Sequence, residues 1–209
     1  MNQVVRTALL STLLPVLAFT SPAPQAEETI REDLHYIGLY GTLLNHRSAV
    51  EIVEVDDRRV RTTTEGWGSG ATLVVGHHIT ERFHVEVRAG MGLEDADLRP
   101  KDAKLAIDYY ASWYIGMHYP LTDYANVYGQ FGFSHIQGEA KLTSAEAVED
   151  FPGLSEDFPD SSFSVSWLAG LDFEILDHTY LVLEGGKLFE DTPSDINTFQ
   201  FSGGLRYEF

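Results

Sequence analysis

The sequence predicts an all-β chain, an eight-stranded antiparallel transmembrane β-barrel. Three observations predict it. From residue 34 onward, apolar and polar side chains alternate with a period of two rather than 3.6. Short connections and longer, charged ones follow each other along the chain, as in a barrel with tight turns on one side and open loops on the other. No apolar run in the mature chain approaches the roughly 18–20 residues that a membrane helix needs, so any crossing must be made by strands.

The N-terminus is read as an export signal. Met1 to Arg6 carries one positive charge, Thr7 to Thr20 is uncharged and mostly apolar, and Ser21 to Ala26 is rich in small residues and proline. That order is the order of a secretory signal peptide. Residues 1–26 are assigned to it, with cleavage after Ala26 and Ala23 as the alternative site. Residues 27–33 form a short polar lead-in, and 34–209 form the barrel domain.

Eight extended segments follow, at 34–45, 66–77, 83–92, 105–119, 125–136, 163–175, 179–190 and the stretch ending on Phe209. The last is the clearest. Phe199, Phe201, Gly203, Leu205, Tyr207 and Phe209 share one face, and Thr198, Gln200, Ser202, Gly204, Arg206 and Glu208 share the other. In 105–119, Tyr109, Trp113, Ile115 and Met117 oppose Ser112, Tyr114, Gly116 and His118 in the same way. Short turns are expected at 78–82, 120–124 and 176–178, and loops at 46–65, 93–104, 138–162 and 191–195. The 138–162 loop bears Glu139, Glu146, Glu149, Asp150, Glu156, Asp157 and Asp160 against Lys141 alone, and is expected to be a solvated acidic loop.

Side-chain volume decides which face points outward. An eight-stranded barrel has an interior that side chains just fill. Trp113, Trp167, Phe131, Phe133, Phe163, Phe173, Phe199, Phe201, Tyr109 and Phe209 would overfill it, whereas Gly116, Gly132, Gly170, Gly204, Ser112, Ser134, Ser166 and Ser202 fit. The large apolar face therefore points to lipid, since such a belt in water would invite aggregation. Tyr119, Tyr124, Tyr180, Tyr207 and Phe209, near strand ends, suit an interfacial aromatic girdle. The polar face carries Glu86, Arg88, Asp108, Asp172, Glu174, Glu184, Arg206 and Glu208, which are expected to form an internal, structural charge network, because an unpaired buried ion is costly. A crowded interior of this kind argues for a filled barrel rather than a pore.

Composition narrows the function. The formal net charge is −18, with 32 acidic residues against 14 basic ones, and no cysteine is present. That balance disfavours nucleic acid as a partner, and it leaves neither a disulfide nor a thiolate to use. Candidate chemistry is sparse. His77 and His78 are neighbours on a strand and face opposite ways, while His84 and His118 reach the same rim without a legible third ligand. Ser134 and His135 are likewise neighbours, so they do not meet as nucleophile and base. The 138–162 loop lacks the ligand order of a defined calcium loop. The expectation is accordingly no catalytic residue, no cofactor and no metal.

The chain resembles the OmpA-like and OmpX-like outer-membrane β-barrel family, including the opacity-type surface proteins. The segments that carry the resemblance are YIGLYGTLL (36–44), VVGHHITERFHVEVRAG (74–90), LDFEILDHTYLVLEGG (171–186) and FQFSGGLRYEF (199–209). It implies a Gram-negative outer-membrane location. It also implies an assembly signal at Phe201, Leu205, Tyr207 and Phe209, read by the outer-membrane assembly machinery. No peptidoglycan-binding domain of the OmpA type is expected to follow the barrel. The expected partners are outer-membrane lipid and lipopolysaccharide, with the chain a monomer. The expected function is structural or one of surface interaction: membrane integrity, adhesion or loop-mediated binding. The alternatives are a narrow solute or ion conduit and a lipid-A-modifying enzyme.

Overall fold

The computed structural model describes residues 31–55, 58–98, 102–158, 161–189 and 196–209. The export signal at 1–26, most of the lead-in and the 191–195 loop lie outside these residues.

Among the described residues, alternating polar and apolar side chains become nine strands: β1 (His35–Val55), β2 (Arg58–His78), β3 (Phe83–Glu94), β4 (Ala96–Leu98), β5 (Ala103–Thr122), β6 (Ala125–Leu142), β7 (Ser161–Leu176), β8 (Thr179–Phe189) and β9 (Asn197–Glu208). Their spatial order is β3-β2-β1-β9-β8-β7-β6-β5, and β3 pairs with β5 to close the ring. The barrel thus has eight staves, with the three-residue β4 prolonging the β3 stave past Asp95. All pairings are antiparallel. The first and last strands meet from Tyr36↔Glu208 to Arg47↔Asn197, which removes both sheet edges.

The faces sort as side-chain volume requires. Leu39, Leu43, Val87, Trp113, Ile115, Phe131, Phe163, Leu183, Phe201 and Leu205 point outward and are exposed. Cross-strand neighbours continue the belt, with Val87 opposite Trp113, Trp113 opposite Phe133 and Phe133 opposite Val165. Among the described residues no helix is long and apolar enough to cross a membrane; the strands do so.

Three expected loops are more ordered than the alternation implied. The 46–65 stretch is a paired hairpin: β1 and β2 run on, past a register shift between His46 and Ala49, until Val55 meets Arg58. Arg58 to Thr63 are exposed on both faces. Backbone pairing therefore persists where the period-two burial signal has vanished. The 93–104 stretch is mostly β3, β4 and the start of β5. In 138–162, β6 continues to Leu142 and two short helices follow, α1 (Ala145–Asp150) and α2 (Leu154–Asp157). Ser144 caps α1 by accepting a bond from the Ala147 backbone N–H at 3.0 Å. Gly153, at φ 84°, makes the left-handed step between the helices that a β-carbon would strain. Phe151, Leu154 and Phe158 recur at helical spacing and are buried. The acidic loop is thus a packed cap, with Glu139, Glu146 and Glu149 exposed on it.

Candidate functional site in the barrel lumen

The described interior is organised in three layers. At the long-hairpin end, Phe151, Leu154 and Phe158 pack on Leu44, Leu98, Leu105, Ile136, Leu188 and Phe189, so that an apolar plug closes the mouth. Long hairpins face outward and short turns face the periplasm in this architecture, which places the plug on the external side.

The middle layer is polar. Arg88 donates to Glu86 and doubly to Glu184, with Nη2 2.9 Å from Glu184 Oε2, and Nη2 also reaches Gln130 Oε1 at 3.0 Å. Tyr36 and Tyr128 donate to Glu86 and Glu184 at 2.9 and 2.7 Å. Around this node run hydroxyl chains, Thr42–Thr72 at 2.7 Å and Ser112–Ser134–Ser166 at 2.6 and 2.5 Å. Each of these buried groups thereby replaces water with a partner.

The periplasmic layer joins Arg206 to Asp172 at 2.8 Å and to Glu208 at 3.1 Å. Arg31 closes on the same two carboxylates at 3.4 and 3.5 Å and lies over the Tyr180 ring. His78, His84 and His118 stand beside this pair of arginines. Their ring centroids are 4.3 Å apart for His84 and His118, 5.2 Å for His78 and His118, and 6.0 Å for His78 and His84. Gly116 makes room for them: a β-carbon there would fall 2.3 Å from the His84 ring.

Of the eight charged residues expected in the lumen, Glu86, Arg88, Asp172, Glu184, Arg206 and Glu208 are brought together. Two are not. Asp108 sits at the bulge between Ile107 and Tyr109, which turns it out of the alternation and leaves it exposed. Glu174 stands at the rim, where its Oε1 accepts from the His178 backbone N–H at 3.1 Å and braces the β7–β8 turn. Phe201, Leu205, Tyr207 and Phe209 all lie on the lipid face. Ser134 faces the lumen and His135 the other way.

Sequence reasoning did not place Arg31 or His78 in the site. Arg31 belongs to the polar lead-in and has no strand pattern to reveal it. His78 and His84 are cross-strand partners flanking the 79–82 turn, and His118 lies two residues beyond Gly116, which pairs with His84. Histidines of matching parity on both sides of a short turn were the available signal.

A family model described as an outer membrane protein beta-barrel domain matches residues 11–209. The chain belongs to that family. This outer-membrane barrel shares its fold with OprG from Pseudomonas aeruginosa, at a TM-score of 0.58 and 12% identity over 86% of this chain and 97% of that one. It is also similar to Neisserial surface protein A, at 0.56 and 12% over 85% and 100%. Ail, the attachment invasion locus protein of Yersinia pestis, matches at 0.51 and 14% over 85% and 99%. No curated protein matches by sequence. The protein is therefore a β-barrel of the outer membrane.

Proposed function

We propose that this outer-membrane barrel has a structural or surface-interaction role, and is neither a conduit nor a lipid-modifying enzyme. The observation that carries this reading is the closed lumen. Arg88 and Arg206, among the largest fully buried side chains, block its polar layers, and the helical cap fills its outer mouth. A solute would have to break buried ion pairs to pass, and removing one partner of such a pair costs about 3–5 kcal/mol. Against catalysis, Ser134 bonds only to other hydroxyls among its described side-chain partners.

The surface available for partners is the exposed β1–β2 hairpin, which bears Arg58, Arg59 and Arg61 beside the acidic cap, with Arg59 reaching Glu149 at 3.4 Å. The apolar belt is suited to lipid, the outer rim to lipopolysaccharide, and Phe201, Leu205, Tyr207 and Phe209 to recognition by the assembly machinery as a monomer inserts. Planar-bilayer recording of the folded protein tests the closed-lumen reading. The expected result is no steady conductance; a stable open level in the wild type would overturn it.

A further inference from the structure

The geometry points to a transition-metal site inside the periplasmic end of the lumen, formed by His78 on β2, His84 on β3 and His118 on β5. One ring nitrogen from each lies within 4.8 Å of the other two. All three side chains are buried, at 0%, 0% and 2% exposure. In all three, Nδ1 is buried and has no hydrogen-bond partner among the described residues. Three buried imidazoles that bring ring nitrogens together, each with an Nδ1 free of hydrogen bonds, are what a borderline cation such as Zn²⁺ requires, and three protein ligands leave a fourth position open.

The surroundings match that chemistry. Nε2 of His78 is hydrogen-bonded to Glu208 Oε1 at 3.2 Å, and Asp172 Oδ2 stands 3.4 Å from His118 Nε2, close by but not hydrogen-bonded to it. Carboxylates behind the outer nitrogen fix the tautomer of ligating histidines and raise their basicity. Nε2 of His84 lies 2.8 Å from the Gln130 amide nitrogen. Metal at Nδ1 of His84 puts the ring proton on Nε2, so the Gln130 amide must turn its oxygen toward it and give up its 3.0 Å bond from Arg88. Charge also favours a cation. The buried described groups are Arg31, Arg88 and Arg206 against Glu86, Asp172, Glu184 and Glu208, three positive against four negative apart from the imidazoles. Zn–N bonds of about 2.0–2.1 Å to all three rings would tie β2, β3 and β5 at their periplasmic ends.

The test uses the full chain folded in detergent micelles, its fold checked by heat-modifiable migration. Zn²⁺ and Co²⁺ are the probes. The expected result is one equivalent retained after gel filtration, with Co²⁺ giving the visible absorption of a four- or five-coordinate site. His78→Gln, His84→Gln and His118→Gln each weaken retention by more than tenfold. Glu208→Gln and Asp172→Asn weaken it by about 10–100-fold. A variant with His35→Ala and His77→Ala, which removes the histidine pair outside the lumen, keeps full binding. Wild-type protein that retains no metal, or loss of binding only in the His35/His77 variant, would overturn the site. Should the lumen variants fail to fold, X-ray absorption on the wild-type Co²⁺ complex decides: three imidazoles support the site, and one or none overturns it.

Discussion

Arg88 on β3 and Glu184 on β8 hold each other across the lumen through both terminal guanidinium nitrogens, although 96 positions separate them in the chain. The same arginine also binds Glu86 and Gln130. One side chain therefore links opposite walls of the barrel. Paired geometry of this kind offsets the desolvation of both ions, and the arrangement fails when one member is removed.

Arg88→Met should leave Glu86 and Glu184 buried without their shared cation. The expected loss is about 3–5 kcal/mol of unfolding free energy, read by urea titration in micelles or bilayers. Glu184→Gln keeps a hydrogen-bonding group and should lose less. Equal losses would contradict this, because the retained amide would then contribute nothing.

The helical cap makes a second prediction. Phe158 is buried against the plug, its ring edge-on to His46 at a centroid distance of 5.4 Å. Phe158→Ala should cost about 3–5 kcal/mol within the cap. Limited proteolysis should then cut near 143–162 well before the strands, whereas the wild type resists.

Depth in the bilayer sets the third. Val87 pairs with Trp113 midway along the outward face, and Leu121 lies beside the short β5–β6 turn. Val87→Arg should destabilise by about 2–4 kcal/mol and Leu121→Arg by about 0–1 kcal/mol, measured by folding titrations into lipid vesicles. The reverse order would displace the membrane belt from the strand centres.

Glu51, on the part of β1 that runs out beyond the belt, has its carboxyl held above the ordinary range by partial burial and by the nearby Asp150 carboxylate. The folded state therefore binds this proton more tightly than the unfolded one, so the penalty is full above the folded-state value and gone below the ordinary carboxylate range. Glu51→Gln should stabilise slightly near neutral pH and have no effect in acid. Chemical denaturation at the two pH values checks this, and a gain that grows on acidification would contradict it.

Gly116 gives a close-approach test. Gly116→Ala sets a methyl group against His84 and Gln130 and should destabilise by about 1–3 kcal/mol. Gly129, whose nearest neighbour would lie 4.0 Å away, should accept alanine with far less change, by the same urea titration.

By itself, the sequence determined the barrel, its strand parity and its lipid face. Alternation is a local property, and an apolar side chain on a strand has only two directions to take. Trp113, Phe131, Phe201 and Leu205 could be assigned outward from volume alone. The same reasoning carried Arg88, Asp172, Arg206 and Glu208 inward. Asp108 escaped it because a bulge shifts parity by one residue, and no composition signal marks the bulge. The tertiary structure alone decided what meets inside. Register and closure bring β2, β3 and β5 side by side, so His78, His84 and His118 converge from positions that share no motif. They also fold Arg31 over the barrel end. Likewise, the spacing of Phe151, Leu154 and Phe158 could announce a helical face, but only the open mouth of the barrel supplied something for that face to bury against.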